Sequence, residues 1–243
     1  MRKSFRVLIT MMLALILVCV MMIPALAVVK DDKLAIIKPG KKSTTWYKGE
    51  VIPIDLESVQ SYSGDFTSRF NLYLCPKGKP TKDAVWTASS HPNSAASIGW
   101  YQTKLNTKSL KPGTYRLDVD YWTLYTGDEG EEGYDPLNPD TRLFVALNIK
   151  KLKAPTKLKV KAGKKKVTIK YKKAAGAQKY EIYRSKKKSK GYKKRTTTTK
   201  AKFVDKKVKK GKRYYYKVRS VRTKYGTVKS KFTKPKRSKK VKK

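Results

Sequence analysis
Short runs in which apolar and polar residues alternate, separated by turn-forming residues, recur along most of this chain, and a period of two predicts half-buried strands. Val167, Ile169 and Tyr171 fall on one face of such a run, with Lys166, Lys170 and Lys172 on the other. Tyr180 and Ile182 repeat the pattern against Glu181 and Tyr183, and Tyr214, Tyr216 and Val218 repeat it against Tyr215, Lys217 and Arg219. Upstream, Val51–Leu56, Phe70–Leu74, Tyr115–Val119 and Leu143–Ile149 read as further strands, and Leu110–Tyr115, with Pro112 and Gly113 inside it, reads as a turn leading into one. Within Phe70–Cys75 the alternation puts Phe70, Leu72 and Leu74 on one face and leaves the burial of Cys75 open. Short strands at this spacing predict an all-β chain of two β-sandwich modules in tandem, over 30–150 and 153–233.

One stretch departs from the alternation. Val7–Ile23 is apolar apart from Thr10, follows Arg2, Lys3 and Arg6, and runs into Pro24 and Ala25-Leu26-Ala27. That layout predicts a signal peptide over 1–27, cleaved before Val28, and an extracellular or cell-surface destination. Two alternatives are a retained anchor, because the apolar stretch through Val29 is long enough to cross a bilayer, and a lipid on Cys19, against which the bulky Val18 speaks. Export without residues 1–27 leaves Cys75 as the only cysteine, so stability must come from packed cores rather than from an internal disulfide.

Charge then divides the chain. Residues 28–150 hold 16 Lys and Arg against 15 Asp and Glu, whereas 151–243 hold 41 against 2, and the two acids are Glu181 and Asp205. The shift near Leu152-Lys153-Ala154-Pro155 marks a module boundary with a short linker, Pro155 suiting the start of an edge strand. Basic composition also occurs in disordered chains, but strands kept in register argue for a folded module. Residues 234–243 read as a polybasic tail, solvated and able to act as an electrostatic tether.

The second half resembles a fibronectin type III module of the Lys-rich kind found in exported proteins of Gram-positive bacteria. The resemblance covers 153–233 and rests on Ala154–Leu158 and Val167–Tyr171 as opening strands, Gly176–Arg184 as the third, Phe203-Val204-Asp205, and Val208–Tyr214. Tyr171 stands where the family has its core Trp. Val208 followed six residues later by Tyr214 matches the tyrosine corner, whose hydroxyl bonds back to the backbone. The resemblance implies a sandwich with strands C, F and G in one sheet; it implies no particular ligand, because sandwiches host many roles. No Arg-Gly-Asp triplet supports integrin-type adhesion. The first half looks only loosely like an immunoglobulin-like sandwich.

Candidate chemistry is sparse. The single histidine, His91, has Cys75 as its only soft companion, which falls short of the three or four ligands zinc requires. The acidic segment from Gly127 to Asp140 is oxygen-rich but lacks EF-hand spacing, and adjacent Glu131 and Glu132 are poorly placed to flank one glycosidic bond. A solvated loop, or one that folds against the basic neighbour, is the simpler reading. No catalytic residue, cofactor or metal is therefore expected, and the chain reads as non-enzymatic.

The expected role is a secreted or surface-retained binding or spacer protein, with an anionic polymer or polysaccharide such as wall teichoic acid as partner. Export disfavours nucleic acid as the natural partner, and membrane contact would come only through an uncleaved N-terminus. The outward face of strands C, F and G is expected to carry Tyr183, Tyr215, Lys217, Arg219, Lys229 and Lys231, aided by Lys234, Lys236, Arg237, Lys239, Lys240, Lys242 and Lys243 of the tail. The rival readings are an accessory module without its own ligand, and carbohydrate binding through the first module, where Trp46, Trp86, Trp100 and Trp122 all lie.

Overall fold
The alternating runs form strands throughout the computed structural model, which describes residues 29–30, 34–40, 43–58, 66–90, 100–127, 130–132 and 139–242. The expectations for the signal peptide and for His91 lie outside the described residues. The chain divides into two compact units: the described residues within Met1–Thr44, Pro53–Thr103 and Tyr115–Leu147, and those within Thr45–Ile52, Lys104–Thr114 and Asn148–Lys243.

In chain order the first strands are β1 (Val29–Lys30), β2 (Leu34–Lys38), β3 (Ser43–Tyr47), β4 (Val51–Ser58), β5 (Phe66–Pro76), β6 (Trp86–Ser89), β7 (Trp100–Asn106), β8 (Gly113–Gly127), β9 (Gly130–Glu132) and β10 (Thr141–Lys150). They make a sheet of order β1-β2-β4-β7 and a second of order β3-β10-β8-β5-β6, with β9 paired to β8. The first unit's core takes Leu34, Ile36, Ile54 and Leu56 from one sheet and Phe70, Leu72, Leu74, Leu117, Val119, Val145 and Leu147 from the other, all buried. Cys75, on the other face of β5, is fully buried too, and burial together with neighbouring Asp118 pushes its thiol up. Part of the segment read as an acidic loop is strand: Gly127 pairs with Gly130 and Thr126 with Glu131, so residues 130–132 add a short strand to β8.

The remaining strands are β11 (Thr156–Gly163), β12 (Lys166–Lys172), β13 (Lys179–Ser185), β14 (Lys193–Thr198), β15 (Lys202–Asp205), β16 (Tyr215–Arg222), β17 (Val228–Lys229) and β18 (Lys236–Arg237). They stack as a three-stranded sheet, β11-β12-β15, and a second, β14-β13-β16-β17, with β18 also on β16. This is the fibronectin type III-like arrangement, strands C, F and G being β13, β16 and β17. Val167, Ile169 and Tyr171 meet Tyr180, Ile182, Tyr216 and Val218 between the sheets. Tyr171 leans on Tyr180 with ring centroids 4.9 Å apart, and its hydroxyl donates to the Lys200 carbonyl at 2.8 Å. Tyr214 is buried, and its hydroxyl accepts the Lys209 N–H at 3.0 Å.

The segment 234–243, expected as a solvated tail, is built into the sandwich as far as it is described. Lys236 and Arg237 pair with Tyr216 and Tyr215, the Ser238 hydroxyl accepts the Tyr214 N–H at 3.1 Å, and Val241 is 2% exposed within the core. Backbone bonds from Gly211 to Val241 and from Lys242 to Gly163 complete the closure. The lysines between these anchors conceal them in composition, but two inward residues and a ladder of amide bonds suffice to order the strand.

Candidate polyanion interface
The second unit's electrostatics begin with its scarce acids. Glu181 on β13 and Asp205 at the end of β15 are both buried, and a buried carboxylate needs cations and donors close by. Arg219 from β16 reaches Glu181 at 2.6 Å and Lys194 stands 3.8 Å away. Burial alone would raise the Glu181 carboxyl, but the Arg219 hydrogen bond and charge outweigh it and hold the group below its ordinary value. Asp205 receives Arg184 at 2.9 Å and the Tyr216 hydroxyl at 3.0 Å, with Arg195 at 3.8 Å. Burial and the adjacent Asp205 push the Tyr216 hydroxyl strongly upward. Both side-chain carboxylates from 151 onward are thus taken up inside the fold, so among the described residues of this stretch the exposed side-chain charge is positive.

The sheet of β13, β14, β16 and β17 brings Tyr183, Lys217 and Arg219 together, and adds two aromatic residues not expected there. Lys217 Nζ lies 4.2 Å from the Tyr192 ring centroid and 4.2 Å from that of Phe232, while Arg219 lies 4.7 Å from Phe232 and 5.5 Å from Tyr183. Tyr183 meets Phe232 edge-on at 5.0 Å. Rings and cations alternate across the face, a stabilising cation–π ladder. Tyr215 is half-buried on the same side, where burial and its proximity push the Tyr192 hydroxyl up.

Strict alternation from Lys229 and Lys231 would have pointed Phe232 inward. Because β17 spans only Val228–Lys229, the parity changes: Ser230 is buried, yet Phe232 turns onto the outer face. No pattern in the sequence signals that change.

Lys217 and Arg219 are thus engaged within the protein, Arg219 by a buried carboxylate and both by aromatic rings. Of the other cations expected at the contact, Lys229, Lys231, Lys234, Lys236, Arg237, Lys239, Lys240 and Lys242 are exposed; Lys243 lies outside the described residues. In the first half, Trp122 is fully buried and Trp46 nearly so, against the Tyr225 ring at 4.6 Å, so neither offers a face to a sugar. Trp86 is half-buried.

Among solved structures, a Fn3-like protein from Clostridium thermocellum is similar to this chain at 24% identity, over 36% of this chain and 92% of its own length, with a TM-score of 0.34. The FN1-FN3 domains of chicken CNTN1 are 12% identical over 82% of this chain and 68% of theirs, with a TM-score of 0.35. Domains from titin are 14% identical over 87% of this chain and 66% of theirs, with a TM-score of 0.42. No family model and no curated protein matches the chain. The fibronectin type III-like assignment of the second unit rests on its own strand order.

Proposed function
We propose that this chain is an exported, non-catalytic binding or spacer protein, retained outside the cell by an anionic polymer that its basic sandwich engages. The observation behind this reading is the fate of Glu181 and Asp205: both are buried under arginines, so among the described residues from 151 onward no acidic side chain breaks the exposed lysine field. Such a field attracts dense polyanions, phosphate-rich wall polymers and sulfated polysaccharides alike, and the attraction falls as salt rises. The exposed cations of β17, β18 and the residues around them are the contact set this reading favours.

Binding of the purified full chain to immobilised teichoic acid, heparin and a neutral polysaccharide tests it. Retention on the two polyanions at low salt, released near about 1 M salt where screening reaches roughly 3 Å, is the expected result. Equal retention on the neutral polysaccharide, or retention indifferent to salt, would defeat it.

A further inference from the structure
The hairpin from β13 to β14 borders an open pocket of about 320 Å³, the small end of the range for ligand sites, on the side of the second unit where Tyr214 is buried. Six cations line it: Arg184, Lys186, Lys187, Lys190, Lys193 and Arg195. Asp205, behind the lining and paired with Arg184, cancels one of those charges and also receives the Tyr216 hydroxyl and the Lys207 N–H. Arg195 contributes a guanidinium only 24% exposed, whose Nε–H is shielded and finds no hydrogen-bond acceptor in the protein, Asp205 being 3.8 Å away. Because that Nε–H is closed to solvent, a bound anion would have to meet the rest of the guanidinium, where a charge-assisted bond favours an acceptor that carries negative charge.

The rim is preformed. Ser185 Oγ donates to the Lys190 carbonyl at 2.6 Å and accepts the Lys187 N–H at 3.0 Å, while the Tyr192 hydroxyl ties down the Lys188 carbonyl at 2.8 Å. Gly191 closes the turn at φ +72°, a conformation other residues adopt only with strain. Lysines on an ordered turn around two partly buried arginines differ from lysines scattered over a strand face: the backbone that carries them is already ordered, so binding costs side-chain freedom alone.

We infer that this pocket is a discrete site for one tetrahedral oxyanion group, phosphate or sulfate, presented on a polymer or small molecule, with the Arg195 guanidinium and the Lys190 and Lys193 ammonium groups as the principal ligands. The inference deepens the polyanion reading by naming where one group of such a polymer is seated. Its three principal ligands are separate from the Lys217 and Arg219 face, and Tyr192 serves both, with its ring on that face and its hydroxyl at the rim.

The test follows backbone amide resonances of the full chain while glycerol phosphate is added, and separately a sulfated disaccharide. Saturable one-to-one shifts centred on Ser185, Gly191 and Arg195 are expected, from one ligand or both, and which ligand binds distinguishes phosphate from sulfate as the source. The double variant Lys190→Gln, Lys193→Gln removes two exposed cations without touching the core and should weaken binding by about tenfold or more, one charge-assisted contact being of that order. A control, Lys170→Gln with Lys172→Gln, makes the same charge change on exposed positions of β12 and should leave binding within about twofold. Shifts spread over all lysine-bearing strands, or equal losses in the two double variants, would overturn the pocket while leaving general polyanion retention intact. Local saturable binding by a chain that fails to hold any polymer would keep the pocket and remove the retention reading. Absence of shifts with either ligand would also overturn it.

Discussion
Arg222 Nε donates to Glu50 Oε1 at 2.6 Å, joining two residues 172 positions apart in sequence within the second unit. The carboxylate is fully buried and its other oxygen accepts the Tyr47 N–H at 2.8 Å; the arginine, 16% exposed, also reaches the Gly176 carbonyl and stacks 4.9 Å over the Tyr47 ring. Gly176 is constrained by the same ring, since a Cβ there would collide with the Tyr47 hydroxyl. The two partners are therefore unequal. Arg222→Ala strands a buried carboxylate, whereas Glu50→Ala leaves an arginine that can turn toward water. Loss of one partner from a buried pair costs about 3–5 kcal/mol, the range expected for Arg222→Ala, with Glu50→Ala at about half of it. Urea unfolding of the full chain measures both, and the reverse order would show that the pair does not hold this part of the unit together.

Tyr214 separates ring from hydroxyl. Its ring is 3% exposed, with Arg184 stacked 4.8 Å away, and its hydroxyl accepts one backbone N–H. Tyr214→Ala should cost about 3–5 kcal/mol and Tyr214→Phe about 1 kcal/mol. Thermal melting of both variants checks the ratio, and identical melting temperatures would contradict the packing described.

These cases show what the sequence made legible. The spacing from Val208 to Tyr214 is local, and strand alternation is a local pattern, so the all-β sandwich class could be read without coordinates. The Glu50 and Arg222 pair could not, because no short-range pattern relates a turn after β3 to the end of β16. Composition misled at 234–243, where nine of the ten residues are polar, charged or proline and only Val241 signals burial. The place of Phe232 was hidden by a strand only two residues long, after which parity carried no information.

Glu181 predicts a pH dependence with a definite sign. Its carboxyl is held below the ordinary value by Arg219 despite burial, so its contribution is present above the unfolded value, near about 4.3, and is lost as pH falls below that through the folded value. The stability difference between the natural chain and Glu181→Gln should be largest at neutral pH and shrink toward pH values below about 4. Denaturant titrations at a series of pH values read this out; a constant difference would mean that Arg219 does not stabilise the ionised form.

Val241 reports on the final strand. Val241→Ala should lower stability by about 2 kcal/mol, and ending the chain at Thr233 should cost more, because the β18 pairing and the Ser238 bond to Tyr214 are lost with it. Hydrogen exchange at Tyr216, whose residue pairs with Lys236, gives an independent reading: its protection should fall in the shortened chain. Unchanged stability after truncation would return these residues to the status of a tail.

The same closure decides how retention must be tested. Removing 234–243 would damage the fold, and Arg219→Ser would strand the buried Glu181 carboxylate, so loss of binding in either variant would be ambiguous. Gln at Lys236, Arg237, Lys239 and Lys240 removes four exposed charges and spares Ser238 and Val241. Each cation near an anionic surface contributes about 1 kcal/mol, so four together should weaken retention on polyanion resin by at least about a hundredfold at low salt, with less salt dependence in what remains. The melting temperature should stay near that of the natural chain, since these side chains reach solvent. Arg219→Lys is the complementary variant: it keeps the charge but loses the planar guanidinium that bonds Glu181 and stacks on Phe232, so stability should fall while polyanion retention holds. If the quadruple variant binds as tightly as the natural chain and Arg219→Lys does not, the contact lies on the ring-lined face of β13 and β16 instead of the exposed cations around β18.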